Sequence, residues 1–245
     1  MLSLLLLFFA ACLAGVQNAL AGGGSFLTFP CLLMTGLDAR AANIASTLAL
    51  FPGQLTTAWA CRRGVEGLPT LSFRALALIS LLGGVVGALL LLATPVRVFD
   101  GLVPWLVLFA TCVFAWGSFF RRPEAVVRHL PPRVAALAQF FISVYGGYFG
   151  GGIGLLMLAV LTLAGQNVRV ASSTKMILAA LMNASAVAIF LVSASAPWLP
   201  VLVTAVGAIL GGQIGARIIF HVPEKILRAA VVALGIVLTI ALFVR

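Results

Sequence analysis

Long apolar runs separated by short polar punctuation fill the chain, and most runs have the length of membrane helices. Runs at 2–20, 71–92, 102–120, 134–149, 171–192, 201–220 and 226–244 lie near the ~20 residues that a helix needs to cross a hydrocarbon core. Two more runs, 26–36 and 153–164, are equally apolar but only about a dozen residues long, which fits a half-helix or one arm of a re-entrant hairpin. A helix over 43–60 is more polar. It opens with Asn43, Ser46 and Thr47 and carries Pro52-Gly53-Gln54 in its middle, where Pro-Gly predicts a kink. The pattern predicts an all-α, polytopic integral membrane protein with eight to ten membrane segments.

Each short run follows a glycine triplet. Gly22-Gly23-Gly24-Ser25 comes after Asn18, and Gly150-Gly151-Gly152 comes 128 residues later. Glycine lacks a Cβ and frees the backbone, so three in a row predict an interrupted helix. An interruption in a bilayer leaves N–H groups unpaired, and it is tolerated only where it is buried in protein or lines a polar cavity. The helix that restarts there points its free N–H groups and positive dipole end into that space, which suits an anion.

The offset of 128 recurs. Leu82-Gly83-Gly84-x-x-Gly87-Ala88 maps onto Leu210-Gly211-Gly212-x-x-Gly215-Ala216, Pro95 onto Pro223, and Ser46 onto Thr174. One register shared by four matches predicts a duplication: a first repeat at 1–120, a linker at 121–133 and a second repeat at 134–245. The small residues at 83–88 predict close helix packing. Trp105 and Trp116 fit interface anchors near the ends of the 102–120 span, and Thr94-Pro95 through Asp100 reads as a short turn.

Charge orients the repeats. Loops 61–74, 121–133, 165–175 and 217–228 are net basic and should face the cytoplasm, whereas 93–100 and 193–200 should face outside. Equivalent loops then swap sides, so the repeats are inverted and meet at the midplane through their broken helices or re-entrant hairpins. The N-terminus is expected outside.

Composition changes the picture little. The chain is 63% hydrophobic and 8% charged, with mean hydropathy +1.22. Its net charge of +10 sits in dispersed loop arginines, so no nucleic-acid partner is expected. Cys12, Cys31, Cys61 and Cys112 lack metal-like spacing, and His129 and His221 are far apart, so neither a metal nor another cofactor is expected. No Ser–His, Cys–His or carboxylate pair lies near the glycine breaks, and an enzyme is not expected.

Inverted repeats with interrupted helices are the plan of secondary transporters. The candidate site gathers Asn18, Gly22, Gly23, Gly24, Ser25, Asn43, Ser46, Thr47 and Gln54 from the first half. The second half adds Gly150, Gly151, Gly152, Ser172, Ser173, Thr174, Lys175 and Asn183. Ser172–Thr174 are expected to supply hydroxyls and N–H groups at a helix start, with Lys175 about one residue inside that helix. A cation site would want carboxylates, so this neutral and basic set favours a small anion. A coupling ion, H+ or Na+, and a homodimer are compatible with the plan. An anion channel and a non-transport membrane-assembly protein remain the alternatives.

The chain resembles the sulfite exporter TauE/SafE family, also called the toluene-sulfonate uptake permease family. The resemblance rests on the first glycine triplet with Gly36-Leu37-Asp38-x-Arg40-x-Ala42-x-x-x-Ser46-Thr47. It rests also on Tyr148-Phe149-Gly150-Gly151-Gly152-x-Gly154 and Ala171-Ser172-Ser173-Thr174. It implies a multi-pass inner-membrane permease of two repeats that moves small sulfur-containing anions, such as sulfite and organosulfonates. The chain departs from the family pattern at Tyr145-Gly146-Gly147-Tyr148, where a less aromatic lead-in is expected.

Overall fold

A computed structural model describes residues 2–20, 24–117, 130–193, 196–218 and 224–244. Gly22, Gly23, Pro223, both histidines and most of the 121–133 linker lie outside the described residues. Among the described residues there are ten α-helices and no strand beyond an isolated bridge between Leu68 and Leu71. The first five are α1 (Leu2–Leu20), α2 (Ser25–Met34), α3 (Ala39–Cys61), α4 (Phe73–Ala93) and α5 (Val96–Ala115). The second five are α6 (Pro132–Tyr148), α7 (Ile153–Leu163), α8 (Val168–Ser193), α9 (Trp198–Ile218) and α10 (Glu224–Val244).

Local capping sets several boundaries. The Asp38 carboxylate accepts from the Ala41 N–H and starts α3, and the Ser72 hydroxyl accepts from the Ala75 N–H and starts α4. Asn167 accepts from the Val170 N–H at 2.9 Å, so α8 begins earlier than the apolar run suggests. Pro95 precedes α5, and its carbonyl accepts from Val98 and Phe99. Residues 96–100, expected in a turn, are therefore helical. Trp105 consequently lies midway along α5 rather than near an end, while Trp116 directly follows the helix.

Among the described residues, three helices are long and apolar enough to cross a membrane: Phe73–Ala93, Val96–Ala115 and Val168–Ser193. α3, with 23 residues, has the length but not the apolarity, because Asn43, Ser46, Thr47, Gln54, Thr56 and Thr57 dilute it. α2 has 10 residues and α7 has 11. At about 1.5 Å per residue each covers roughly half of a ~30 Å hydrocarbon core.

Packing pairs helices related by the offset of 128 in equivalent ways. α1 packs on α9 as α6 packs on α4, and α3 meets α9 as α8 meets α4. α3 meets its own counterpart α8, and α5 meets α10. Each half thus lends its first helix to the other half's fourth, and the halves interlock around one interior. Glycines make these crossings close. Gly207 faces the Phe8 carbonyl and Ala11, Gly211 faces the Cys12 carbonyl, and Gly15 faces Ala208 and Gly212. The numbers rise together, so α1 and α9 run parallel. Gly83 faces Ser143 and Gly87 faces Val144 and Tyr148, so α4 and α6 are parallel too, while Gly84 faces Met182 and Ser185 of α8. This is the packing face expected from the small-residue spacing.

A Cβ at Gly84 or Gly211 would land on a neighbouring backbone carbonyl, whereas one at Gly101 would meet nothing within 4 Å. Overpacking of this kind costs about 1–3 kcal/mol or more. Gly84→Ala and Gly211→Ala should therefore lower the thermal midpoint and the monodisperse yield in detergent. Gly101→Ala should leave both unchanged or slightly raised.

Candidate functional site

The central pair α3 and α8 encloses a cavity of about 140 Å³. That is well below the ~300–1,000 Å³ of pockets for drug-sized ligands and suits a small solute. α3 contributes Asn43, Thr47, Leu50, Gln54 and Thr57, spaced three or four residues apart on one helix face, with Ser46 beside them. α8 contributes Lys175, Met176, Ala179 and Asn183. Asn18 and the starts of both short helices complete the polar wall, and Phe114 and Phe149 add apolar surface.

Both short helices present bare N-termini. Gly24 caps α2 and Gly152 caps α7, and neither helix receives a side-chain capping bond. The Leu27 and Leu155 N–H groups bond back to the Gly24 and Gly152 carbonyls. The N–H groups ahead of them are the ones a helix start leaves without an intrahelical partner, and Gly24, Ser25, Gly152, Ile153 and Gly154 line the cavity. The second break depends on its glycines. Gly150 and Gly152 have φ of +84° and +74°, a left-handed conformation that costs other residues roughly 1–2 kcal/mol. There the chain leaves α6, whose last bonds run from Phe149 and Gly150 to the Tyr145 carbonyl, and turns into α7.

Hydrogen bonds decide which side chains can still donate. The hydroxyls of Thr47 and Thr57 donate to carbonyls of their own helix, Asn43 and Gly53. Thr28 and Ser46 share a 2.6 Å bond behind the wall. Asn183 Nδ2 donates to Gln54 Oε1 at 2.7 Å, which orients the Gln54 amide group with its NH2 directed elsewhere. Asn43 Nδ2 donates to the Tyr148 carbonyl at 3.0 Å. Lys175 is the one ionisable side chain among the described residues lining the cavity, and no Asp, Glu or His joins it there. A Cβ at Gly154 would lie 4.0 Å from Lys175 Nζ, so the ammonium reaches the first turn of α7. The arrangement can solvate negative charge from several sides and offers no carboxylate to a cation.

Eleven of the expected residues come together here: Asn18, Gly24, Ser25, Asn43, Ser46, Thr47, Gln54, Gly150, Gly152, Lys175 and Asn183. Four do not line the cavity. Thr174 is fully buried against the loop before α4, where its hydroxyl donates to the Glu66 carbonyl and the Glu66 N–H approaches it. Ser173 lies against Gly64, and Ser172 is also off the lining. Because Asn167 caps α8 at its true start, residues 172–174 sit inside the helix with their N–H groups already used. Lys175 is the eighth residue of α8 rather than about the first. Gly151 is packed toward Phe149 and Ala110 and borders a separate, much smaller crevice. Residues not anticipated from the sequence include Thr57, Phe114, Phe149, Gly154 and Met176. Thr57 could have been found, since it continues the stripe from Asn43 through Gln54.

Residues 7–242 match the family described as Sulfite exporter TauE/SafE. The chain belongs to that family. Its relatives carry matching names. A "Probable membrane transporter protein" of Haemophilus influenzae is 28% identical over 238 residues, covering 96% of this chain and 92% of its own. "Probable membrane transporter protein ORF9" of Sinorhizobium sp is 31% identical over 242 residues, covering 96% and 90%. "Probable membrane transporter protein YfcA" of Escherichia coli K12 is 28% identical over 235 residues, covering 95% and 87%. This TauE/SafE chain is a membrane transporter and not an enzyme.

The division between lining and packing residues is measurable. Thr174→Val removes the hydroxyl shared with Glu66, a loss of about 1 kcal/mol. It should lower the thermal midpoint by roughly 2–4 °C in a chain of this size. The further rise in midpoint that a bound solute produces should be the same as in the unmodified protein, because Thr174 does not reach the cavity.

Proposed function

We propose that the cavity between α3 and α8 is the transport site for a small anion. The substrate is a sulfur oxyanion or an organosulfonate, such as sulfite, carried across the inner (plasma) membrane by alternating access. The observation that carries this reading is the convergence of two uncapped helix N-termini, several amide groups and Lys175 on one cavity whose described lining holds no acidic side chain. A helix end carries the equivalent of about +0.5 charge, and an ammonium adds a full charge to the same space. Midplane sites at broken helices are what inverted-repeat transporters use. The family description supports the choice of sulfur anions. The two repeats, 1–120 and 134–245, are then inverted about the cavity, with the N-terminus outside and the 121–133 linker in the cytoplasm. A coupling ion, H+ or Na+, and a homodimeric assembly are compatible with this reading.

Purified protein screened against sulfite, sulfate, thiosulfate and short sulfonates should show a rise in thermal midpoint with at least one of them. If none stabilises it at millimolar concentration, the anion reading fails. A charge-assisted bond from Lys175 is worth roughly 1.5–3 kcal/mol. Lys175→Met should thus weaken affinity by about one to two orders of magnitude, and Lys175→Arg should weaken it less. Wild-type affinity in Lys175→Met would mean that the ammonium only snorkels and that helix termini and amides hold the anion.

Topology is tested independently. On a background without the four native cysteines, cysteines at residues 64 and 196 should label from opposite faces of the membrane. Labelling from the same face would rule out the inverted arrangement.

A further inference from the structure

One end of the cavity is sealed and the other is open. Along α3 the lining residues grade from Asn43 and Ser46, 4% and 2% exposed, to half-buried Thr47, Leu50, Gln54 and Thr57. The open end therefore lies toward the Arg62–Gly64 turn that follows α3, and the sealed end lies at the start of α3.

A connected set of bonds makes the seal. Asn43 Nδ2 donates to the Tyr148 carbonyl at 3.0 Å. The Tyr148 hydroxyl donates to Thr94 Oγ1 at 3.3 Å. Arg40 Nη1 donates to the carbonyls of Leu92 and Thr94 at 3.3 and 3.1 Å. The Tyr148 ring stands edge-on to Phe99 with centroids 5.6 Å apart. Three elements meet at Tyr148: the start of α3, the α4–α5 turn, and the end of α6 just before the Gly150–Gly152 break.

The repeat cannot build this seal at the other end. At the offset of 128, Tyr148 corresponds to Leu20, Thr94 to Val222 and Asn43 to Ala171. None of the three has a side chain that can form these bonds. Two ends whose side chains differ in this way are not equipped to close equally well.

We infer that Tyr148 is the latch of a gate at the Asn43 end, and that it biases the molecule toward the state open at the Thr57 end. The inference rests on the cavity being the transport site, which the anion screen measures separately. A reporter cysteine, Leu50→Cys on a background without native cysteines, sits midway along the lining. In vesicles of known sidedness it should react with a membrane-impermeant maleimide from the Arg62 face and hardly at all from the Thr94 face. Tyr148→Phe keeps the ring and deletes one hydrogen bond. It should raise the labelling rate from the Thr94 face by roughly two- to tenfold and lower the rate from the Arg62 face. Thr94→Val removes the same bond from its other side and should do the same, and the double variant should add nothing further. A purely structural role would instead raise labelling from both faces as the thermal midpoint falls. That outcome, unchanged labelling in Tyr148→Phe, or strong labelling from the Thr94 face in the unmodified protein would each overturn the latch. One-sided labelling without any anion-induced stabilisation would overturn the choice of ligand and leave the gate standing.

Discussion

A backbone N–H without a partner cannot face lipid, and α2 and α7 each begin with several such groups. Neither helix has a side chain folded back over its first turn. The only remedy is enclosure, so both starts must be surrounded by protein that supplies polarity. α3 and α8 provide it. That is why α3, central in the bundle, is too polar to qualify as a span on composition even though it is long enough. The groups that make the breaks costly in lipid are the same groups that make them useful to an anion. Structural need and binding capacity have one cause here.

Enclosing two breaks requires walls that hold their shape. The parallel pairs α1–α9 and α4–α6 provide these by bringing backbones within van der Waals contact at Gly207, Gly211, Gly83 and Gly87. Lipid gives no hydrophobic drive to helix association, so close packing has to supply it. The α4–α6 crossing also buries a polar trio, in which Gln139 Nε2 donates to Ser80 Oγ at 2.8 Å and approaches Ser143 Oγ at 3.4 Å. α1–α9 has alanines, Ala208 and Ala11, at the positions equivalent to Ser80 and Gln139. Each pair joins helices from both halves. A motion of one pair against the other therefore moves parts of both repeats together and need not separate the halves.

The short helices were legible because two independent signals coincide on them: a glycine triplet at the start and a shared offset of 128. Shifting α2 by that offset gives 153–162, and α7 is Ile153–Leu163. The polar residues Asn43, Ser46, Thr47 and Gln54 of α3 were legible as candidates, whereas their alignment with Thr57 on one helical face comes from the structure. The errors have local causes. Residues 172–174 were misplaced because Asn167, a good capping residue after Gly165-Gln166, starts α8 ahead of its apolar run. Gly151 was misplaced because three consecutive glycines look alike in sequence, and only backbone dihedrals decide which of them face the cavity. Phe114 and Phe149 could not be read at all. An aromatic residue in a membrane helix meets lipid, a neighbouring helix or a cavity equally well, and composition does not distinguish these.

Backbone and side chains divide the work unequally between the repeats. The backbone supplies a bare helix end twice, once from each half. The side chains specify the site once. Lys175 corresponds to Thr47, Asn183 to Leu55 and Gln54 to Met182. Ser46 corresponds to Thr174, yet Ser46 lines the cavity while Thr174 is turned toward the loop at Glu66. The cavity lining is therefore not the same from the two halves. On the proposed anion reading, the Lys175 ammonium, which reaches the first turn of α7, would draw the charge toward the α7–α8 side. The α2 terminus would then act at longer range, through its dipole. On that reading, the offset of 128 would account for two helix ends at one cavity, and the few side chains that differ between the halves would place the charge off centre, nearer the break that follows Tyr148.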